Sequence, residues 1–135
     1  MNKKAASGKT DLDELFKGME PELQDDVFVF TTFVANQDVS MLTPIMMFQE
    51  REGTTLIITK AQAETHGIAF EFPCRMITLN IHSALDAVGF LARIATRLAS
   101  LGMGVNPVAG FYHDHLFIPA DRADDAMAAL QAMTE

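Results

Sequence analysis

Hydrophobic and polar positions follow the clearest pattern in the second half of the chain. Apolar residues alternate over residues 75–82, which predicts a strand with Ile77, Leu79 and Ile81 on one side. Over residues 85–101 they recur at helical spacing, which predicts an amphipathic helix ending at Gly102. The remaining predicted elements of this half are strands at 105–111 and 115–118 that turn near His113 and Asp114, and a helix at 122–133 capped by Asp121.

The first half has shorter and more apolar segments. Residues 27–34 are β-branched and aromatic on both alternating sides, which predicts a strand covered on two faces. The remaining predicted elements of this half are a helix at 11–18 capped by Asp11, a loop at 36–44, strands at 45–52 and 54–59, a helix at 61–66 closed by Gly67, and a strand at 69–72 ended by Pro73.

The order of these elements indicates a repeated unit. The second half reads β-α-β-β-α, a split βαβ unit without its last strand. The first half reads like the same unit with its first crossover helix shortened to a loop. We therefore predict an α+β chain with a flexible tail at 1–10, one unit at 11–73 and a second at 74–135, which complete each other or a second chain.

Composition narrows the possible classes of protein. The 135 residues are 49% hydrophobic, too apolar for a disordered chain, and the net charge of -8 argues against nucleic-acid binding. One cysteine excludes an internal disulfide and a thiolate zinc site. We see no secretory signal and no run of apolar residues long enough to span a membrane, so we expect a cytoplasmic protein.

Charge divides unevenly between the halves. Residues 1–73 contain 6 basic and 12 acidic residues, a net charge of -6, whereas residues 74–135 contain 4 and 6, a net charge of -2. An anionic ligand would therefore meet less repulsion in the second half.

Three motifs resemble enzyme signatures but fail on spacing or context. Gly8-Lys9-Thr10 lacks the earlier glycine and the preceding strand of a phosphate-binding loop. Gly102-Met103-Gly104 has Pro107 at the third glycine position of a dinucleotide motif. His82 and Ser83 are neighbours on a strand and point to opposite faces, so they make a poor catalytic pair. We predict neither an enzyme nor a bound cofactor.

The segment from Asn80 to Gly89, where a strand leads into the long helix, allows two interpretations. In the first, Ser83 caps the helix and Asp86 completes a capping box, with no ligand involved. In the second, free N–H groups at the helix start hold a carboxylate while Asp86 meets an ammonium group, as in a free amino acid.

Histidines near the predicted hairpin turn are weak candidates for metal ligands. His113 and His115 can share one strand face, with His82 or Asp114 as a third ligand. The alternative is a polar hairpin tip without bound metal, which we favour.

The strand at 75–82 also has a second, half-apolar face. Its residues are Met76, Thr78, Asn80 and His82, extended by His115 and Phe117. Helices should cover the opposite face, formed by Ile77, Leu79, Ile81, Leu116 and Ile118. A half-apolar face needs cover from the first half or from a second subunit.

Residues 86–106 resemble the ACT domain, a small ligand-sensing module. The matching positions are Asp86, Gly89, Leu91, Ile94, Leu98, Ala99 and Gly102, whereas Val88 replaces a frequent proline and Met103 a usual isoleucine. Residues 48–54 (FQEREGT), 72–83 (FPCRMITLNIHS) and 108–119 (VAGFYHDHLFIP) are similar to small stand-alone bacterial proteins built from two ACT-like units.

This resemblance implies two ferredoxin-like βαββαβ units in tandem and a ligand loop at Ser83, Asp86, Val88 and Gly89. The candidate ligand-binding residues are Asn80, His82, Ser83, Asp86, Ala87, Val88, Gly89, Asn106 and Gly110. We expect a non-enzymatic regulatory homodimer that binds an amino-acid-type ligand. The alternatives are a ligand-free interaction module and a histidine-based metal-binding protein.

Overall fold

The structure is a computed structural model that describes residues 11–135. The predicted tail at residues 1–10, which includes the Gly8-Lys9-Thr10 motif, lies outside these residues. The helices are α1 (Leu12–Gly18), α2 (Lys60–Thr65), α3 (Phe90–Ser100) and α4 (Ala123–Met133), the last preceded by a 3-10 turn at Ala120–Arg122. The strands are β1 (Glu20–Phe33), β2 (Met46–Gln49), β3 (Thr54–Thr59), β4 (Glu71–Asn80), β5 (Asn106–Ala109) and β6 (Asp114–Pro119).

All six strands form one antiparallel sheet in the order β2-β3-β1-β4-β6-β5. The central pair, β1 and β4, joins the two halves of the chain, with Glu20 opposite Asn80 and Leu23 opposite Ile77. Mixed α+β content and this antiparallel arrangement confirm the predicted fold class.

Two predicted strand boundaries were wrong at the central pair. β1 begins at Glu20 rather than Val27, because its polar first part pairs with β4 through the backbone despite lacking an apolar pattern. β4 continues through Pro73, which we expected to end a strand. The pairing register between β1 and β4 shifts between Phe28 and Phe30, and Phe72 has a positive φ of 56°. Because β4 is irregular here, it can contain Pro73.

Several helix and hairpin ends also differ from the predictions. α3 starts at Phe90 instead of Leu85, and Asp121 lies in the 3-10 turn and does not cap α4. β5 ends at Ala109 because the Gly110 N–H donates to the His113 carbonyl and turns the chain. The predicted cap of α1 is confirmed, since Asp11 accepts a hydrogen bond from the Glu14 N–H at 3.0 Å.

Helices cover the predicted face of β4 and β6. The largest buried cluster packs α1, α3 and α4 against the sheet and includes Ile77, Leu79, Leu116 and Ile118. A smaller cluster around Val29 and Ile58 packs against α2. The fold therefore places the crossover into α3 directly over β4 and β6.

The opposite face of the sheet has a separate apolar cluster made of strand residues alone. Phe28 and Phe30 from the first half contact Phe117 edge-on, with ring centroids 5.9 and 6.0 Å apart. Met76 and Phe117, both predicted for this face, are buried by these neighbours. Phe28 and Phe30 of the first half thus cover part of the half-apolar face that was predicted for the second half.

Among residues 11–135, no helix has the length and hydropathy that crossing a bilayer requires.

Candidate functional site

The connection from β4 to α3 spans residues 81–89 and turns twice before the helix begins. The Ser83 N–H donates to the Ile81 carbonyl, and the Ala87 N–H donates to the Ala84 carbonyl. These turns delay the helix to Phe90, so Ser83 is too far away to cap it. The predicted capping box is therefore wrong.

The N-terminus of α3 has no side-chain cap. Gly89 occupies the N-cap position in the left-handed conformation, with φ of 90°, and its carbonyl accepts the first helical hydrogen bond from the Arg93 N–H at 3.0 Å. An L-residue is strained in this conformation, which explains the glycine. The N–H groups of the first turn are available to an external acceptor with negative charge.

A pocket of about 120 Å³ lies against this end of α3. It is formed where the β4–α3 connection meets the hairpin of β5 and β6. Its lining residues are Ser83, Ala84, Leu85, Ala87, Gly89, Phe90, Leu91, Ala92, Ala109 and Asp114.

Asp114 is the charged residue of this pocket, and its side chain is fixed. The residue is only 6% exposed, and its Oδ2 accepts a hydrogen bond of 3.0 Å from the Ser83 hydroxyl. Burial raises the pKa of Asp114, against smaller opposing effects of the Ser83 hydrogen bond and of His115 and His113. Among residues 11–135 no cationic side chain forms an ion pair with it. A buried carboxylate in this state would gain from a positively charged ligand group.

Three of the predicted ligand residues line the pocket: Ser83, Ala87 and Gly89. Asp86 and Val88 lie on the exposed side of the same loop, and Val88 is 87% exposed. Neither belongs to the pocket lining, so the carboxylate in the pocket is Asp114 rather than Asp86.

The other predicted residues do not line the pocket. The Asn80 side-chain amide donates to Glu22 Oε2 at 2.9 Å and so connects β4 to β1. The centroid of the His82 ring lies 5.9 Å from that of the Phe111 ring and 5.4 Å from that of the Tyr112 ring. The last two predicted residues, Asn106 and Gly110, lie in β5 and in the turn that follows it.

Sequence reasoning considered Asp114 only as part of a turn or as a possible metal ligand. One signal could have placed it correctly: Asp114, Leu116 and Ile118 alternate along one strand, so all three face the helices. Ala109, which also lines the pocket, lacks any comparable signal.

The histidines of the hairpin do not form a metal centre in the structure. The centroids of the His113 and His115 rings lie 6.4 Å apart, and His115 Nδ1 is 3.0 Å from Thr78 Oγ1. Burial, and then the neighbouring His113, lower the pKa of His115. In the part of the chain that the structure describes, no three His, Cys, Asp or Glu side chains are grouped as metal ligands.

Comparison with known families identifies both halves. A family model described as an ACT domain matches residues 7–75, and another ACT-domain model matches residues 71–132. The chain belongs to the ACT-domain family. The two matches confirm a tandem of ferredoxin-like ACT units, which are regulatory rather than catalytic domains. The matches overlap at the start of β4, the strand at which the two units meet.

Solved structures show the same architecture. A protein of unknown function from Vibrio cholerae, described as a possible transport protein, is 38% identical, with a TM-score of 0.83 over 92% of this chain and 96% of that one. A protein from Agrobacterium tumefaciens is 12% identical, with a TM-score of 0.73 over 86% and 89% of the two chains.

The regulatory subunit of aspartate kinase from Thermus thermophilus, in a ligand-free form, also shares the fold. It is 14% identical, with a TM-score of 0.63 over 86% of this ACT-domain chain and 98% of the subunit. Comparison with curated proteins found no match.

Proposed function

We propose that this ACT-domain protein is a non-enzymatic cytoplasmic regulator that binds a free amino acid in the pocket between the β4–α3 connection and Asp114. One observation carries the proposal. An uncapped helix N-terminus and a buried carboxylate without an ion-pair partner among residues 11–135 line the same pocket.

The two ends of the pocket complement the two charges of an amino acid. The ligand carboxylate accepts hydrogen bonds from the first-turn N–H groups of α3, where the helix dipole favours negative charge. The ligand ammonium group pairs with Asp114, which Ser83 holds in place. Within our proposal, Asp114 takes the role that the sequence suggested for Asp86, while Asp86 and Val88 form the outer side of the ligand loop.

A regulatory role draws support from family membership. The two matched models describe ACT domains, and the Thermus thermophilus protein of the same fold is the regulatory subunit of an enzyme.

We further propose that the chain acts as a homodimer, with units at 11–73 and 74–135. Leu85 and Val88 on the ligand loop are 69% and 87% exposed, and both are apolar. A second subunit that covers them would connect ligand binding to dimer geometry. A ligand that binds one dimer arrangement more tightly shifts the population toward it, and this shift is the regulatory signal.

Isothermal titration calorimetry of the full chain against the twenty standard amino acids tests the binding. We expect at least one to bind, and Asp114→Asn to abolish that binding by removing the partner of the ammonium group. Asp121→Asn, a surface carboxylate in the 3-10 turn, is the matched control and should leave binding unchanged. Failure of all amino acids to bind at millimolar concentration would contradict the proposal.

Sedimentation measurements test the dimer separately. Val88→Ser should weaken self-association, because it removes the most exposed apolar side chain of the ligand loop. A purely monomeric wild-type protein at high concentration, with and without ligand, would remove the homodimer from the proposal.

One observation favours a second candidate function, docking of a partner chain without a small ligand. Met47 and Phe48 on the edge strand β2 are 51% and 64% exposed. Exposed apolar side chains on an unpaired edge are typical of protein contacts. If docking is the function, Phe48→Ser should abolish self-association or partner binding, whereas Asp114→Asn should have no effect.

A further inference from the structure

The exposed side of α3 combines a basic groove with an acidic loop beside it. Arg93 and Arg97 line an open groove between α1 and α3, and the other lining residues are Leu12, Gly89, Ala92, Thr96 and Ser100. Asp86 and Val88 lie on the outer side of the ligand loop, just before α3 begins. We propose that the outer loop side of one copy of this chain docks in the α1–α3 groove of a second copy, and that the two copies do so reciprocally. This proposal rests on the homodimer of the proposed function and names the surfaces that form it.

The two arginines of the α1–α3 groove have no carboxylate partner within residues 11–135. The ion pairs in that part of the chain are Lys60–Glu64 and Arg122–Asp125. The α3 sequence, FLARIATRLAS, contains no acidic residue, and neither does the described lining of the groove. The groove is therefore a basic surface on a chain whose net charge is -8.

Contacts within the protein position both guanidinium groups. The guanidinium carbon of Arg93 lies 5.8 Å from the centroid of the Phe16 ring. Arg97 Nη1 donates a hydrogen bond of 3.3 Å to the Ser100 hydroxyl. Because side chains that are already positioned lose less conformational freedom when a partner binds, these two arginines favour an incoming carboxylate.

The outer loop side complements the groove in polarity and in shape. Val88 is apolar and 87% exposed, and the carboxylate of Asp86, two residues before it, is exposed as well. In the groove, the short side chains of Ala92 and Thr96 lie one helical turn apart and leave room beside the arginines. Val88 of a second copy fills this room, while its Asp86 pairs with the arginines.

A two-fold axis allows both contacts to form at once. The loop precedes α3, whereas Arg97 lies seven residues into the helix, about 10 Å along its axis. An axis perpendicular to α3 and between these positions makes the two α3 helices antiparallel. It brings the loop of each copy to the groove of the other, so the contact closes into a dimer.

Charge is the reason to place a second copy on this surface. Two copies that each have a net charge of -8 repel each other, whereas the Asp86 carboxylate of one copy meets positive charge at the groove of the other. Neither Asp86 nor Val88 lines the β4–α3 pocket. The dimer contact and the proposed ligand therefore use two sides of the same loop, which connects the one to the other.

Sedimentation velocity of the full chain, with two charge-reversed variants, tests the proposal. Asp86→Arg makes the loop basic, and the double substitution Arg93→Asp with Arg97→Asp makes the groove acidic. Each variant alone should self-associate at least about ten-fold more weakly than the wild type, because like charges then face each other at both contacts of the dimer. A mixture of the two variants should form dimers again, because each contact in the mixed pair joins opposite charges.

The controls reverse single exposed charges away from the loop and the groove. Asp121→Arg in the 3-10 turn matches the loop substitution, and Arg51→Asp between β2 and β3 matches the groove substitutions. Both should leave self-association unchanged. Circular dichroism shows that each variant is folded before mixing, and high salt should weaken the wild-type dimer.

The outcomes separate this proposal from the homodimer on which it rests. If either variant alone self-associates like the wild type, or if the two folded variants do not associate with each other, the loop does not dock in the groove and the proposal is overturned. An equal loss in Arg51→Asp would also overturn it. In these cases a wild-type dimer that Val88→Ser weakens leaves the homodimer standing. If the wild-type protein is monomeric throughout, both fail, and amino-acid binding is still decided by calorimetry.

Discussion

The two halves of the chain cross their sheet in different ways. After β4, residues 81–89 lead into α3, whose N-terminus opens onto the candidate pocket. After β1, residues 34–45 reach β2 without any helix. There, Leu42 and Val39 of the loop fill the space against Leu56 and Ala63. A loop can complete a core, but it offers no helix N-terminus to a ligand.

The two crossovers also hold their carboxylates differently. Asp38 lies in the first crossover, fully exposed, and hydrogen bonds from Ser40 lower its pKa. Asp114 lies under the second crossover, where burial raises its pKa. The Asp38 carboxylate stabilises its own loop. Ionising Asp114 in its buried position costs free energy, which a cationic ligand group could offset.

Core truncations should produce the largest difference between the crossovers. Leu98 of α3 is fully buried, and Leu98→Ala should lower the free energy of unfolding by about 3 kcal/mol or more, because a rigid helix leaves a cavity. Leu42→Ala in the first crossover should cost about 2 kcal/mol, because a loop can collapse into the space. Urea denaturation measures both.

The larger effect expected for Leu98→Ala assumes that the loop of the first crossover repacks more easily than α3. The Thr43 backbone is held by Gln62, whose side chain accepts from the Thr43 N–H at 2.7 Å and donates to its carbonyl at 3.2 Å. If Leu42→Ala costs as much as Leu98→Ala, these bonds make the first crossover as rigid as the helix. The two crossovers would then differ in the presence of a pocket but not in their contribution to stability.

Substitution of the glycines at the two ends of α3 should produce an intermediate effect. Gly89 and Gly102 both have positive φ, 90° and 77°; an added Cβ at Gly102 has no neighbour within 4 Å, and one at Gly89 makes only an ordinary contact of 3.7 Å with Leu12 Cδ2. Gly89→Ala and Gly102→Ala should therefore each destabilise the protein by about 1–2 kcal/mol through backbone strain. Thermal unfolding measures this loss.

Only one of these two variants should affect the ligand. The added methyl group at Gly89 would contact Leu12 Cδ2 of α1 at 3.7 Å, but the backbone strain there should displace the first-turn N–H groups of α3 and so weaken amino-acid binding, whereas Gly102 lies at the far end of the helix. Equal affinities of the two variants in calorimetry would show that the start of α3 is not part of the site.

Replacing the two carboxylates should change stability by the smallest amounts, with opposite signs. Asp114→Asn keeps an oxygen for the Ser83 hydroxyl but removes a buried charge, so it should raise Tm by a few degrees at neutral pH in the absence of ligand. Asp38→Asn removes a favourable charge and should lower Tm slightly.

The pH dependence follows from the direction of each shift. The raised pKa of Asp114 means that stability is lost as pH rises from the ordinary aspartate pKa through the raised value, so the advantage of Asp114→Asn should vanish at acidic pH. The lowered pKa of Asp38 means that its contribution is present above the ordinary pKa and lost as pH falls through the lowered value. A Tm profile from pH 3 to 8 would contradict the assignment if both variants shifted the same way.

The local pattern was sufficient to locate most elements but not their ends. Helical spacing indicated α3, yet the apolar residues Leu85 and Val88 before it made the helix appear to start five residues earlier than it does. They lie on an exposed loop, which periodicity cannot distinguish from the first turn of a helix. Likewise, Pro73 predicted a strand end, and only pairing with β1 across an irregular register allows β4 to continue.

The candidate site was predictable in position but not in chemistry. The loop and Gly89 follow from the resemblance and from a strand that leads into a helix, since both are encoded by neighbouring residues. Asp114 is separated from Ser83 by 31 positions, and their hydrogen bond exists only because β6 pairs with β4. Asp86, nearer in sequence, lies on the exposed side of the loop.

The amino-acid sequence by itself determined the α+β class, the tandem order of elements, the helix-covered face of β4 and β6, and the missing first crossover helix. These features depend on the periodicity of apolar residues along short segments, which local steric and burial preferences govern. Only the tertiary structure decided which carboxylate enters the pocket, where α3 begins and how large the pocket is. Those depend on strand register and core packing, which bring distant residues together and have no signature in any short segment.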